Sequence, residues 1–367
     1  MKFSSAISLA IAFASAARAE SVAVDARRGA GLFSQQRCNT CHIGGAATIG
    51  GAPDLARYLD RAYTAAGIAS RMWNHAPEMW RAMRDSKIAV PELTESNAAD
   101  LFAFFYASRY FEKPGDAGRG RNVFLNKQCA ACHGITAETG PGLPVSRWGS
   151  LSDPVELVQH MWNHALDMNL AAAKWKVKWP RIAPAELSDL LVYLRNLPGM
   201  RNRPARFEMA AGGERGKQLI AGKGCAGCHK GGMALENRLH DRTLTEVAAA
   251  MWNHAPQMAG RAASLTVEET REILGYVWAA DFTRARGDAS RGRKTFSTQC
   301  GGCHEKGAAP KLAARADGFT TVTLISALWR HGPKMLGQLE AEGKAWPRLS
   351  PPEMANLVAF LDLNRRK

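Results

Sequence analysis

Cys38-Asn39-Thr40-Cys41-His42 places two cysteines three positions apart and closes the run with a histidine. The chain repeats this spacing as Cys129-Ala130-Ala131-Cys132-His133, Cys225-Ala226-Gly227-Cys228-His229 and Cys300-Gly301-Gly302-Cys303-His304. All 8 cysteines of the 367 residues are used. First cysteines at 38, 129, 225 and 300 give a period longer than the roughly 20–50 residues of solenoid repeats, so the pattern reads as a string of small domains.

C-x-x-C-H is the attachment spacing of c-type haem. Two thiols two residues apart reach the two vinyl groups on one porphyrin edge and form thioethers, and the adjacent imidazole then lies under the ring to bind iron. Three other uses of cysteine fit less well. Four disulfides, as in exported proteins, leave a histidine after every second cysteine unexplained. A zinc centre needs two C-x-x-C pairs closing on one tetrahedral point, and these pairs lie far apart in sequence. A thioredoxin-like pair needs a strand–helix setting, which the flanking sequence lacks. The reading is four haem c groups, with thioethers at Cys38, Cys41, Cys129, Cys132, Cys225, Cys228, Cys300 and Cys303. The proximal iron ligands are His42, His133, His229 and His304.

The flanks repeat too. Arg28-Gly29, Arg119-Gly120, Arg215-Gly216 and Arg291-Gly292 precede the four sites, followed by Phe33, Phe124, Ile220 and Phe296. The spacing predicts a short helix whose glycine permits close packing on another helix. Amphipathic closing helices are expected over Ala98–Phe111, Ala185–Leu197, Val267–Phe282 and Pro352–Leu363, started by Thr94, Ser264 and Ser350, with Tyr193, Tyr276 and Phe360 facing the first helix of their own repeat. Between the two lies a third recurring run. It reads Met72-Trp73-Asn74-His75-Ala76-Pro77-Glu78-Met79, Met161-Trp162-Asn163-His164-Ala165-Leu166-Asp167-Met168, Met251-Trp252-Asn253-His254-Ala255-Pro256-Gln257-Met258 and Leu328-Trp329-Arg330-His331-Gly332-Pro333-Lys334-Met335.

Helix, C-x-x-C-H, loop, helix, Met-bearing run and closing helix, four times over, resembles the class I cytochrome c family across nearly the whole mature chain. The resemblance implies an all-α fold of four tandem cytochrome c-like domains, each wrapping one covalent haem. Their expected spans are 20–114, 115–206, 207–286 and 287–367. It implies crossed first and last helices and a Met from the loop before the last helix as sixth ligand. It also implies a Pro carbonyl accepting the proximal imidazole N–H, a role Pro53, Pro144 and Pro310 can fill; the third repeat has no Pro between His229 and Pro256.

The residues alone leave two sets of candidates for the sixth ligand. His and the Met four residues later would share one face of a continuous helix. Three repeats carry Pro two residues after the His, and the residue before Pro avoids helical geometry, so the helix is expected to end near the His and leave the Met in a loop. This favours Met79, Met168, Met258 and Met335 over His75, His164, His254 and His331. Trp73, Trp162, Trp252 and Trp329 read as haem-pocket walls with a possible N–H donor role. His160 and His240 have no counterparts and read as ordinary histidines.

Residues 1–19 read as a signal peptide: Lys2, an apolar stretch from Ala6 to Ala17, and a small-x-small site ending at Ala19. No later segment is long and apolar enough to cross a bilayer. The expectation is a soluble periplasmic or otherwise exported chain. Its formal charge of +15 suits acidic protein donors and acceptors, and nucleic acid is not expected outside the cytoplasm. Part of the surplus can balance haem propionates. An electron carrier with six-coordinate haems is the leading expectation, with no enzymatic activity of its own. The alternatives are a haem enzyme, such as a reductase or peroxidase with one open haem, and a relay subunit of a dehydrogenase or membrane complex. The site checklist finds no acid/base cluster to support the enzyme.

Overall fold

The computed structural model describes residues 24–42, 64–108, 112–148, 151, 154–198, 200, 214–258, 263–282, 284 and 286–363. Among these residues every regular element is helical. Each repeat supplies three principal helices in one order. They are α1 (Ala26–Gln35), α2 (Ala65–Asp85) and α3 (Glu95–Ala107) in the first, and α4 (Ala117–Asn126), α5 (Pro154–Lys174) and α6 (Pro184–Arg195) in the second. The third has α7 (Glu214–Gly222), α8 (Leu244–Met258) and α9 (Val267–Phe282). The fourth has α10 (Ala289–Gln299), α11 (Thr321–Ala341) and α12 (Pro351–Leu361).

First and closing helices cross at the repeated glycine. A Cβ at Gly29, Gly120, Gly216 or Gly292 would run into the backbone carbonyl of Asp100, Asp189, Glu272 or Asn356. It would also press on the Cβ of Phe104 at 2.8 Å, Tyr193 at 2.7 Å, Tyr276 at 2.6 Å or Phe360 at 2.9 Å. The expected faces are observed: Tyr193 and Phe360 meet Phe124 and Phe296 with ring centroids 5.8 and 5.4 Å apart, and Tyr276 lies against Gly216. Phe33–Phe104, at 5.7 Å, is the like pair in the first repeat. The same crossing explains the arginines. Arg28 forks onto Asp100 at 2.9 and 3.1 Å, and Arg119 onto Asp189 at 2.8 Å through both nitrogens. Asp100, Asp189 and Asn356 also accept the backbone N–H of Asp25, Asp116 and Asp288. The closing helices start at Thr94 and Ser350 as expected. In the third repeat the cap is Thr266, which exchanges hydrogen bonds with Glu269, and not Ser264.

The middle helices do not end at the histidine. α2, α8 and α11 continue through Pro77, Pro256 and Pro333. Pro removes the N–H that would bond the carbonyl four residues back, which is the Trp73, Trp252 or Trp329 carbonyl. In two cases an indole from a different repeat takes up that carbonyl. Trp346 donates to Trp73 at 3.0 Å and Trp179 to Trp252 at 3.3 Å. The expectation of a helix end near the His is therefore corrected: the cost of an internal Pro is offset by a donor that no local rule places there.

That donor belongs to a larger clamp. The Trp73 indole donates to the Pro347 carbonyl at 2.7 Å, while the Asn74 amide donates to the Leu349 carbonyl at 2.8 Å and accepts its N–H at 2.9 Å. Trp252 and Asn253 do the same to Pro180 and Ile182, and Trp162 and Asn163 to Ala263 and Leu265. Each target lies just before the closing helix of another repeat. Repeats 2 and 3 thus hold each other reciprocally, and repeat 1 holds repeat 4. On the return side Arg330 replaces the Asn, and Ser326 reaches back to the Leu93 carbonyl at 2.8 Å. Gly332, where the other repeats carry Ala, lets the Trp80 ring lie against α11. The Trp residues, expected as pocket walls, serve here as ties between repeats, with the N–H donor role realised in three of them. The two pairs join through α3 and α9, where Phe102–Phe282 and Tyr106–Trp278 centroids lie 5.6 and 6.2 Å apart.

Candidate haem-attachment sites

Each C-x-x-C-H forms a single tight turn. The His N–H donates to the first Cys carbonyl at 3.0 Å for His42, 2.9 Å for His133, 2.8 Å for His229 and 2.9 Å for His304. In three repeats a residue in left-handed conformation stops the first helix just before the turn: Arg37, Gln128 and Gly224, with φ of 59°, 62° and 78°. The fourth approach is one residue shorter, and Gln299 leads straight into Cys300.

No two cysteines are disulfide-bonded. Cys38, Cys129 and Cys300 are set against the apolar interior, and burial pushes their thiols up to about 11 and raises that of Cys225. These are neutral thiols, unlike the thiolates of zinc centres or exchange pairs. A thioether is equally neutral and suits the same setting. Among the described residues no group of three or more His, Cys, Asp or Glu could close on a free metal ion.

The proximal imidazoles are oriented by backbone carbonyls. His133 Nδ1 donates to Leu143 at 3.0 Å, His229 Nδ1 to Met233 at 3.2 Å and His304 Nδ1 to Pro310 at 2.9 Å. A carbonyl only accepts, so Nδ1 carries the proton and Nε2 keeps its lone pair for a metal. Pro310 thus fills its expected role, whereas the second repeat uses Leu143 rather than Pro144. Pro144 sits one residue late because the chain turns there to start a short helix at Val145. The third repeat, lacking the Pro, uses the Met233 carbonyl of a one-turn helix. Pro53 lies outside the described residues. Burial, then the positive field of a facing histidine, holds His75 below its ordinary pKa; burial also lowers His133. Both rings are neutral at pH 7, the form that binds iron.

On the opposite side, the His42 and His75 rings lie 6.2 Å apart and the His229 and His254 rings 6.3 Å apart. His164 lies near enough to His133 to lower its pKa, and His331 is exposed. Met79, Met168 and Met335 pack partly buried against the apolar core, and Met258 is half-buried. His160 is exposed, and His240 meets Asp241 at the surface. The donor set therefore fits haem iron, with the tautomer fixed by a carbonyl at the His133, His229 and His304 turns. Sequence reasoning missed Trp179 and Trp346. The signal was there, in Trp179-Pro180-Arg181-Ile182 and Trp346-Pro347-Arg348-Leu349.

The family model described as cytochrome c matches residues 117–198, and the one described as cytochrome c oxidase, cbb3-type, subunit III matches residues 287–361. The cytochrome c-553-like protein of Synechocystis sp. is 32% identical over 106 residues, covering 27% of this chain and 90% of that protein. No solved structure gives a significant match. Among the described residues no helix is long and apolar enough to cross a membrane.

Proposed function

The chain belongs to the c-type cytochrome family, and from that premise we propose that it is an exported tetrahaem electron carrier. The observation that carries this reading is the fourfold C-x-x-C-H turn. In three of the turns the proximal His is seen fixed by a carbonyl in the tautomer that leaves Nε2 for iron. When bound, haem iron supplies one-electron exchange between its ferric and ferrous states. The eight cysteines would fasten the groups, His42, His133, His229 and His304 would hold the iron, and the recurring run on the middle helix would supply a second ligand from the same repeat. With that position filled, no place would be left for substrate and rearrangement on reduction would be small. The clamps and the α3–α9 contact support a route in which electrons pass in the spatial order 4–1–3–2, not in chain order.

The +15 charge favours acidic donors and acceptors, with encounter rates that fall as salt rises. The match of residues 287–361 to a subunit of an oxidase favours a second reading, in which the chain is a relay subunit of a larger complex. Native purification separates the two by whether a partner co-elutes. The test of the main reading is the intact mass of the exported protein. Four haems above the chain beginning after Ala19 is the expected value; a bare chain mass ends the proposal. Rapid carbon monoxide binding by one ferrous haem in the native protein would shift the assignment toward an enzyme.

A further inference from the structure

We propose that His75 and His254, and not Met79 and Met258, are the sixth iron ligands in repeats 1 and 3. This deepens the tetrahaem reading and rests on it. The argument is geometric. An imidazole nitrogen sits about 2.0–2.1 Å from a bound metal and roughly 1.1 Å from its own ring centre, so two imidazoles on opposite sides of one metal place their centroids about 6.3 Å apart. The separations are 6.2 Å for His42–His75 and 6.3 Å for His229–His254. Two histidines at van der Waals contact would stand closer, and two unrelated ones have no reason to share this distance twice.

Three further observations agree. The middle helix continues past the His, so the helix end that would have freed the Met is absent. The clamp explains why the helix is held there: Trp73 and Trp252 are tied through both indole and carbonyl to another repeat. Two residues on, about 200° around the helix, the His points to the other side and toward the proximal His. Met79, four residues later, packs partly buried against the core.

The ring planes of the two pairs are inclined at 63° and 69°. Axial imidazoles far from parallel leave the iron d-orbitals nearly degenerate, which gives a strongly anisotropic low-spin electron paramagnetic resonance signal. The experiment uses the full exported protein, with its haems counted first by mass. A count without thioether-bound haem at these turns sinks both the ligand assignment and the function. With the haems present, two strongly anisotropic low-spin signals are expected in the oxidised protein. They should persist in Met79→Leu/Met258→Leu, and the potentials of those haems should stay low. His75→Ala/His254→Ala should turn two of four haems high-spin and carbon monoxide-reactive. The ligand assignment alone is overturned if the methionine pair of substitutions abolishes a near-infrared Met-to-iron band or makes two haems high-spin. Should the histidine variant fail to accumulate, the methionine variant decides the question by itself.

Discussion

Asn74 satisfies both polar groups of Leu349, a residue only 1% exposed. An unsatisfied buried backbone group costs about 1–3 kcal/mol. Asn74→Ala strands the Leu349 N–H, while the Ser70 hydroxyl still donates to the Leu349 carbonyl, so the expected loss is about 1–3 kcal/mol, read as a drop in denaturant midpoint. Asn253→Ala removes both side-chain bonds at Ile182 and should cost more. Arg330→Asn, at the one position where the pattern departs, is expected to cost little, because no existing tie is removed. A second residue-scale expectation concerns acid. The Arg119 guanidinium donates to Asp189 and holds its carboxyl below the usual carboxylate range. The ionised form is thus favoured in the folded state. That stabilisation is complete above the ordinary value of about 3.9 and is lost as pH falls through the depressed one. Asp189→Asn should therefore lower stability at pH 7 and flatten its decline below about pH 5. An unchanged acid profile would show that the pair contributes nothing.

At the scale of elements, two glycines in helices should respond to alanine with opposite signs. Gly337 lies in α11 with nothing near a new Cβ, and Gly337→Ala should stabilise by up to about 1 kcal/mol through helix propensity. Gly120→Ala gains the same propensity but drives a methyl into the Asp189 backbone, and overpacking of about 1–3 kcal/mol or more should win. Thermal midpoints of the two variants decide it. The crossing of α4 on α6 was legible in the sequence for this reason: a glycine, an aromatic and an arginine at fixed spacing encode a contact inside one repeat. The C-x-x-C-H turns were legible because attachment chemistry fixes their spacing. The path of α2 and α8 was not. Pro77 and Pro256 signal a helix end by local rules, and what cancels that signal is Trp346, 273 residues from Trp73, or Trp179, 73 residues from Trp252. Trp346→Phe keeps the ring and removes the N–H, so it should loosen α2 about Pro77. Hydrogen exchange in that turn should quicken, while exchange in α5, which carries Leu166 instead of Pro, should not.

The whole molecule is organised by pairs that chain order conceals. Repeats 2 and 3 hold each other through two complete clamps, supported by the buried Arg271–Glu156 pair at 3.8 Å. Repeats 1 and 4 are held by one complete clamp, the cluster of Trp73, Trp80, Trp329 and Trp346, and surface ion pairs such as Arg81–Glu340 at 2.8 Å, which contribute little in water. A fragment of residues 112–286, matured with its two haems, should melt cooperatively on its own. A fragment of residues 20–198, equal in repeat number, should not, because neither of its repeats retains its partner. Calorimetry of the two fragments distinguishes this architecture from a simple string of independent beads.

The clasp between the first and last repeats also sets a schedule for biogenesis. The N-terminal quarter emerges first yet finds its mate only when the final residues, including Trp346 and Leu349, have been delivered. Until then its apolar Trp surface waits uncovered, while the inner pair has already closed. Truncation near the C-terminus should for that reason do its damage at the opposite end of the polypeptide, leaving the N-terminal quarter as the part that proteases find first.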